Sequence, residues 1–144
     1  MQEKTFPGTL DSLEPVRDYV ADAARAAGLD RGRTYRLCLA VDEIATNVVL
    51  HGYEEAGLSG EIVIDAAQEP DKLIIRLVDH GRPYDPELTR TPDLEGSLLD
   101  REEGGLGVFL ARDGVDEFDY TSGDAGNIHR FVVLLPASDS PKAP

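Results

Sequence analysis

The chain has one cysteine, no apolar run long enough to cross a bilayer, and half as many basic side chains as acidic ones. A lone cysteine, Cys38, excludes an internal disulfide and a cysteine-based zinc site. Its place inside an apolar helical pattern reads as a buried structural thiol. No segment approaches the ~20 apolar residues of a membrane span, and the opening "MQEKTFPG" has none of the regions of a signal peptide. The expected compartment is the cytoplasm, without a membrane partner. Against 28 Asp and Glu stand 14 Lys and Arg, a formal net charge of −14. Direct nucleic-acid binding needs clustered basic side chains on phosphates, so that class is disfavoured. A single nucleotide is not, because a few backbone N–H groups and one metal ion can hold it. The acidic surface also suits a basic protein partner, although solubility alone explains it.

What is present fits one globular domain: 144 residues, 41% hydrophobic and 29% charged. There is no internal repeat. Residues 1–137 read as a single domain, and 138–144 as a disordered tail. "KTFPGTL" fits a short edge strand, Pro7 disfavouring a central one. "DSLEPVRDYVADAARAAGL" follows as a helix: Asp11 and Glu14 have capping-box spacing, Pro15 falls in the first turn and Gly28 is a stop. A second helix is expected from about Thr34 to His51, with Leu37, Val41, Ile44 and Val48 as its core stripe and Gly52 ending it. "EIVIDAA" and "KLIIRLVD" around the turn "EPD" make a hairpin over 61–79. Residues 80–103 have little periodicity, as a functional loop or lid would. "GGLGVFLARDG" opens a short helix, and "DEFDYTS", "GDAGN" and "IHRFVVLLP" make a closing hairpin. Hairpin strands interleaved with helices indicate an α/β two-layer sandwich, a mixed, mostly antiparallel sheet covered on one face by helices. The absence of βαβ alternation excludes a Rossmann unit.

Three stretches could carry chemistry. In "DEIATNVVLHGY" (42–53), Glu43, Asn47 and His51 recur at four-residue steps, which stack side chains on one helical face. That polar face borders aliphatic neighbours, so it meets either bulk water or a site. A glutamate can act as base toward a hydroxyl, and an asparagine carbonyl suits Mg²⁺, which takes few protein ligands. In "VDHGRPYDP", Asp79 ends an aliphatic strand, and a buried carboxylate there can accept from an exocyclic amine such as adenine N6. Gly81, two residues on, would let a base ring approach the backbone; an ordinary strand-ending turn is the plainer reading. "GGLG" (104–107) opens a helix where backbone N–H groups can meet phosphate, or it is a lid hinge. It lacks the Gly-Lys-Ser/Thr end of a Walker A loop. No nucleophile elbow surrounds Ser97 or Ser122. His51, His80 and His129 lack zinc spacing, and His129 reads as structural or exposed.

Taken in order, the three stretches resemble the boxes of the GHKL ATPase superfamily, and within it the bacterial anti-sigma-factor serine/threonine kinases. "DEIATNVVLHGY" is similar to the N box, E-x-x-x-N-x-x-x-H-[AG]-Y. "DHGRPYDP" is similar to the adenine box, D-x-G-x-x-[FY]-D-P, and "GGLGVFL" to the second glycine box. The resemblance runs from the first helix to "IHRFVVLLP". It implies a Bergerat-type fold using ATP and Mg²⁺. Asn47 would ligate Mg²⁺, Glu43 would be the base, Asp79 would bind adenine N6 and Gly81 would pack beside the ring. Gly104, Gly105, Leu106 and Gly107 would offer N–H groups to phosphates, under a lid formed by 87–103. His51 would shape the site without a chemical step. The implied function is an ATP-dependent anti-sigma factor that holds a sigma factor and phosphorylates a STAS-type anti-anti-sigma protein. The same resemblance implies a homodimer and a partner contact at Arg17 on the first helix.

Two departures bear on transfer. Glu102 and Glu103 stand just before the second glycine box, where some relatives place an arginine, and Arg101 is the nearest substitute. In the third box only Gly126 and Asn127 fit. These keep open an alternative, a regulatory module that binds ATP and sequesters a partner without phosphotransfer. The ATPase half of a histidine kinase is the poorest fit, since no phosphoacceptor helix or sensor segment is found.

Overall fold

In the computed structural model, which describes residues 1–83 and 114–135, five strands form one sheet. They are β1 (Lys4–Pro7), β2 (Glu61–Glu69), β3 (Lys72–Asp79), β4 (Glu117–Gly123) and β5 (Gly126–Leu134), in spatial order β1-β2-β3-β5-β4. Two helices, α1 (Leu13–Ala26) and α2 (Arg31–Asn47), share one buried core with the sheet. The α/β class expected from the sequence is the one observed, and every described strand pair is antiparallel. Both expected hairpins are present, and β1 is the edge strand at one side, as Pro7 requires.

Strand register decides what faces the helices. Side chains alternate along a strand, so directly paired residues share a face. Ile64 pairs with Leu77, Ala66 and Phe131 with Ile75, and Leu73 with Val133. These residues are all buried and form the floor of the core. Burying each Leu, Ile or Phe contributes roughly 1.5–3 kcal/mol. The same parity, followed to one end of the sheet, brings in Asp79 opposite Asn127 and His129 opposite Leu77. All three are buried. One corner of an otherwise apolar layer is therefore polar.

The helices are bounded by local signals, not all of them those read from the sequence. The α1 C-terminus forms a Schellman motif: Gly28 N–H donates to Arg25 O and Leu29 N–H to Ala24 O, both at 3.0 Å. Gly28 supplies the left-handed turn this needs, with φ of +85°. At the other end the capping box expected of Asp11 and Glu14 does not form. Ser12 is the N-cap residue, and its hydroxyl donates to Pro7 O at 2.5 Å, tying the helix start to β1. Helix α2 starts at Arg31, earlier than expected, because the Asp30 carboxylate accepts from Arg33 N–H at 2.8 Å. A good N-cap extended the helix past the first apolar residue. Gly52 does not end α2 either. The helix widens after Asn47 into a π-helical segment, Val48–Glu54, whose last turns bond from Glu55 N–H to Leu50 O and from Leu58 N–H to Tyr53 O. Tyr53 anchors this segment. Its hydroxyl donates to Glu61 O at 2.7 Å and accepts from His80 N–H at 2.9 Å, and burial pushes the phenol up from its ordinary range.

No helix among the described residues is long and apolar enough to cross a membrane. The expected lid (87–103), the second glycine box and the tail lie outside the described residues.

Candidate nucleotide site

The polar corner of the sheet meets the π-helical segment that follows α2, where a Cβ on Gly52 would lie 3.9 Å from Asp79 Oδ1. The four-residue step from Glu43 to Asn47 places both side chains on one face of α2. Glu43 is half-buried, and Asn47 is only 5% exposed. The Asn47 amide nitrogen, Nδ2, is buried and has no hydrogen-bond partner among the described residues. An unmet buried donor costs about 1–3 kcal/mol. It fits a side chain whose partner is a ligand rather than another residue.

His51 is separated from the Glu43–Asn47 pair by the π-helical turn, where i→i+5 bonding replaces the α-helical step. Its Nδ1 lies 2.9 Å from Glu55 Oε1, and Arg82 approaches the same carboxylate at 3.7 Å. The hydrogen bond from His51, ahead of the nearby charges, holds the Glu55 carboxyl below its usual range. Glu55 is the C-cap residue of the segment that carries His51, and their contact draws the imidazole toward it.

Asp79 is the centre of the buried network. Its Oδ1 accepts from Gly81 N–H at 2.9 Å and from Asn127 Nδ2 at 2.8 Å, and Oδ2 lies 3.0 Å from His129 Nε2. Asn127 is itself fixed. Its Nδ2 also donates to Gly81 O at 3.0 Å, while its Oδ1 accepts from the Ser122 hydroxyl at 2.7 Å. A carboxylate can accept about four hydrogen bonds. Three are taken here among the described residues, which leaves acceptor capacity on Oδ2.

Gly81 has a packing reason to be glycine. A Cβ there would lie 2.6 Å from Gly52 O and 2.8 Å from Gly52 C. The approach is closed by Arg82 N–H donating to Gly52 O at 2.8 Å. This backbone contact locks the loop after β3 onto the π-helical segment. Gly81→Ala is expected to lower unfolding free energy by about 1–3 kcal/mol, because both clashing groups are backbone. Gly52→Ala meets nothing nearer than 3.5 Å and should change it by less than about 1 kcal/mol. Urea melts of the two variants check the asymmetry.

The structure thus joins Asp79 and Gly81 at one end of the sheet and sets Gly52 of the π-helical segment against both, while Asn47 is buried at the end of α2 with Glu43 one turn back. Gly104, Gly105, Leu106 and Gly107 lie outside the described residues, as do Arg101, Glu102 and Glu103. Arg17 belongs to a separate surface of α1, where its guanidinium meets Asp42 Oδ1 at 3.0 Å and is about half exposed. The sequence reading missed His129, Ser122 and the role of Asn127 in the network. Their signal was parity. Asn127 and His129 alternate in step with Phe131 and Val133, so all four face inward.

The model of the histidine kinase-like ATPase domain matches residues 6–133 of this chain. A serine-protein kinase RsbW of Halalkalibacterium halodurans is 32% identical over 112 residues, 75% of this chain and 67% of that protein. The serine-protein kinase RsbW of Staphylococcus aureus is 36% identical over 119 residues, 80% of this chain and 75% of that protein. Among solved structures, the RsbU and RsbW domains of a Mycobacterium tuberculosis protein superpose with a TM-score of 0.60 at 16% identity, over 95% of this chain. The histidine kinase domain of a blue-light activated histidine kinase from Erythrobacter litoralis gives 0.54 at 17% identity, over 85% of this chain. This chain spans only 34% and 61% of those two chains, and at such identities they speak to the fold alone.

Proposed function

Because this chain belongs to the histidine kinase-like ATPase domain family, we propose that it is an ATP-dependent serine/threonine kinase that also acts as an anti-sigma factor. Two observations support the ATP site: a buried Asn47 amide nitrogen without a partner among the described residues, and a buried Asp79 carboxylate that has acceptor capacity left among them. The kinase reading is supported by relatives named serine-protein kinase at 32% and 36% identity.

The residues present fit a magnesium–nucleotide complex. Asn47 Oδ1 would meet the ion while Nδ2 donates to a phosphate oxygen, which removes the unmet donor. No group of three or more His, Cys, Asp or Glu gathers among the described residues. Mg²⁺ needs only one or two protein ligands and takes the rest from phosphate and water. Bound there, it would neutralise charge on the triphosphate. Asp79 Oδ2 would accept from the adenine amine. Gly104, Gly105, Leu106 and Gly107 would offer N–H groups to the phosphates. Glu43 would take the proton of an incoming serine or threonine hydroxyl. The hydroxyl oxygen bonds to the γ-phosphorus, the bond to the β,γ-bridging oxygen breaks, and ADP leaves. His51, paired with Glu55, would shape the rim.

The protein substrate would be a STAS-type anti-anti-sigma protein, and the unphosphorylated form of that protein would release the sigma factor. Arg17 would contribute to partner contact on the α1 surface, on a homodimer working in the cytoplasm. A second reading, ATP-gated sequestration without transfer, is favoured by the carboxylates of Glu102 and Glu103 before the glycine box.

Calorimetric titration with ATP, with and without Mg²⁺, tests the site. The wild type should bind ATP in a Mg²⁺-dependent manner. Asn47→Ala should weaken binding by about a hundredfold, as loss of a ligand and a charge-assisted hydrogen bond implies. Absence of ATP binding by the wild type would end the kinase reading. Binding of ATP and of a STAS partner without phosphotransfer would select the second one.

A further inference from the structure

Within the proposed ATP site, His129 is a buried side chain that the transfer chemistry does not use. It is 2% exposed, and its ring lies 5.1 Å from that of Tyr120 at an interplanar angle of 48°. On β3 its neighbour is Leu77. One ring nitrogen, Nε2, is 3.0 Å from Asp79 Oδ2; the other, Nδ1, is buried without a partner among the described residues.

These two facts fix the tautomer. Nε2 faces an acceptor and must carry the proton, since two lone pairs would otherwise oppose each other. A proton on Nδ1 as well would strand a donor, and part of a cation, away from water. A bare Nδ1 strands only an acceptor, the less costly choice. The geometry therefore assigns His129 Nε2 as the donor to Asp79 Oδ2.

The two oxygens of Asp79 are not equivalent. Oδ1 is saturated by Gly81 N–H and by an Asn127 amide that cannot flip, because its Nδ2 sits between two acceptors, Asp79 Oδ1 and Gly81 O. Oδ2 has His129 alone among the described residues. The acceptor capacity left for a ligand is on Oδ2, and one imidazole N–H sets where it points.

We infer that His129 is a positioning residue that fixes Asp79 as an acceptor and thereby sets selectivity for a purine bearing an exocyclic amine over one bearing a carbonyl. The inference rests on the ATP reading of the site. An amine N–H meets Oδ2 favourably. A carbonyl at the same place, as in inosine or guanosine, opposes it with a second acceptor. Without His129, Oδ2 loses its fixed donor. The carboxyl can then turn or hold a proton of its own, and a carbonyl becomes acceptable.

The test compares binding of ATP and inosine triphosphate, each with Mg²⁺, to wild type, His129→Leu and His129→Gln. Wild type should prefer ATP. His129→Leu should shrink the ATP-to-ITP ratio by about tenfold or more, as expected when one charge-assisted hydrogen bond is lost. His129→Gln, which can return an N–H to Oδ2, should restore most of it. A ratio unchanged in His129→Leu, with both affinities falling together, would reduce His129 to a packing residue and overturn the inference alone. Failure of wild type to bind either nucleotide would remove the ATP reading and the inference together. Nitrogen NMR of wild-type His129 decides even if the leucine variant does not fold. A protonated Nε2 with a bare Nδ1 supports the assignment, and a protonated Nδ1 overturns it.

Discussion

Glu43→Gln is expected to slow γ-phosphate transfer to a STAS-type protein by about 10²–10⁴-fold, the range for loss of a general base. The substitution keeps size and hydrogen-bonding capacity but removes the ability to take a proton. Glu43 is half-buried on α2, one helical turn before Asn47, and outside the buried Asp79 network. Its replacement should therefore leave ATP affinity within about threefold and appear in the turnover step alone. Asn47→Ala, by contrast, loses binding first. Labelled-phosphate transfer under single-turnover conditions, beside calorimetric ATP affinity, separates the two. Undiminished transfer by Glu43→Gln would remove Glu43 as the base. Parallel losses of affinity and rate would make it a binding residue instead.

Asp79→Ala should be the most damaging single change to the fold and the site together. It removes the acceptor from Gly81 N–H, from one of the two Asn127 Nδ2 hydrogens and from His129 Nε2, three donors in a buried corner. Removing one side of a buried charged network costs about 3–5 kcal/mol, enough to unfold a domain of ordinary stability. Asp79→Asn is the informative companion. Its carbonyl can still accept from Gly81 and Asn127, so the loss of stability should be smaller, about 1–3 kcal/mol. Its amide N–H would face His129 and the incoming base amine, donor against donor, so ATP affinity should still fall by about a hundredfold. Urea melts and nucleotide titrations of both variants check this. An Asp79→Asn protein with wild-type ATP affinity would exclude Asp79 from base recognition. Asp42→Ala, which breaks an exposed pair with Arg17, is the control and should cost less than about 1 kcal/mol.

Local pattern made much of this molecule readable. Alternation in "EIVIDAA" and "KLIIRLVD" placed a hairpin that the register confirms from Ile62–Asp79 to Glu69–Lys72. Gly28 marked the end of α1, because a left-handed turn there needs a residue without Cβ. Composition excluded disulfides, and the spacing of Glu43 and Asn47 put two polar side chains on one face of α2.

Other features depend on partners distant in sequence. Gly81 is glycine because the Gly52 carbonyl, 29 positions earlier, occupies the place of its Cβ. The π-helical widening that separates His51 from Asn47 is held by Tyr53 bonds to Glu61 and His80. His129 looked like an isolated histidine on a strand until the β3–β5 register set it beside Leu77, within 3.0 Å of a carboxylate 50 residues away. Periodicity reports which face of an element is buried, since that depends on neighbours along the chain. Which polar atom finds which partner depends on how the elements dock, and only the assembled sheet and helices decide that.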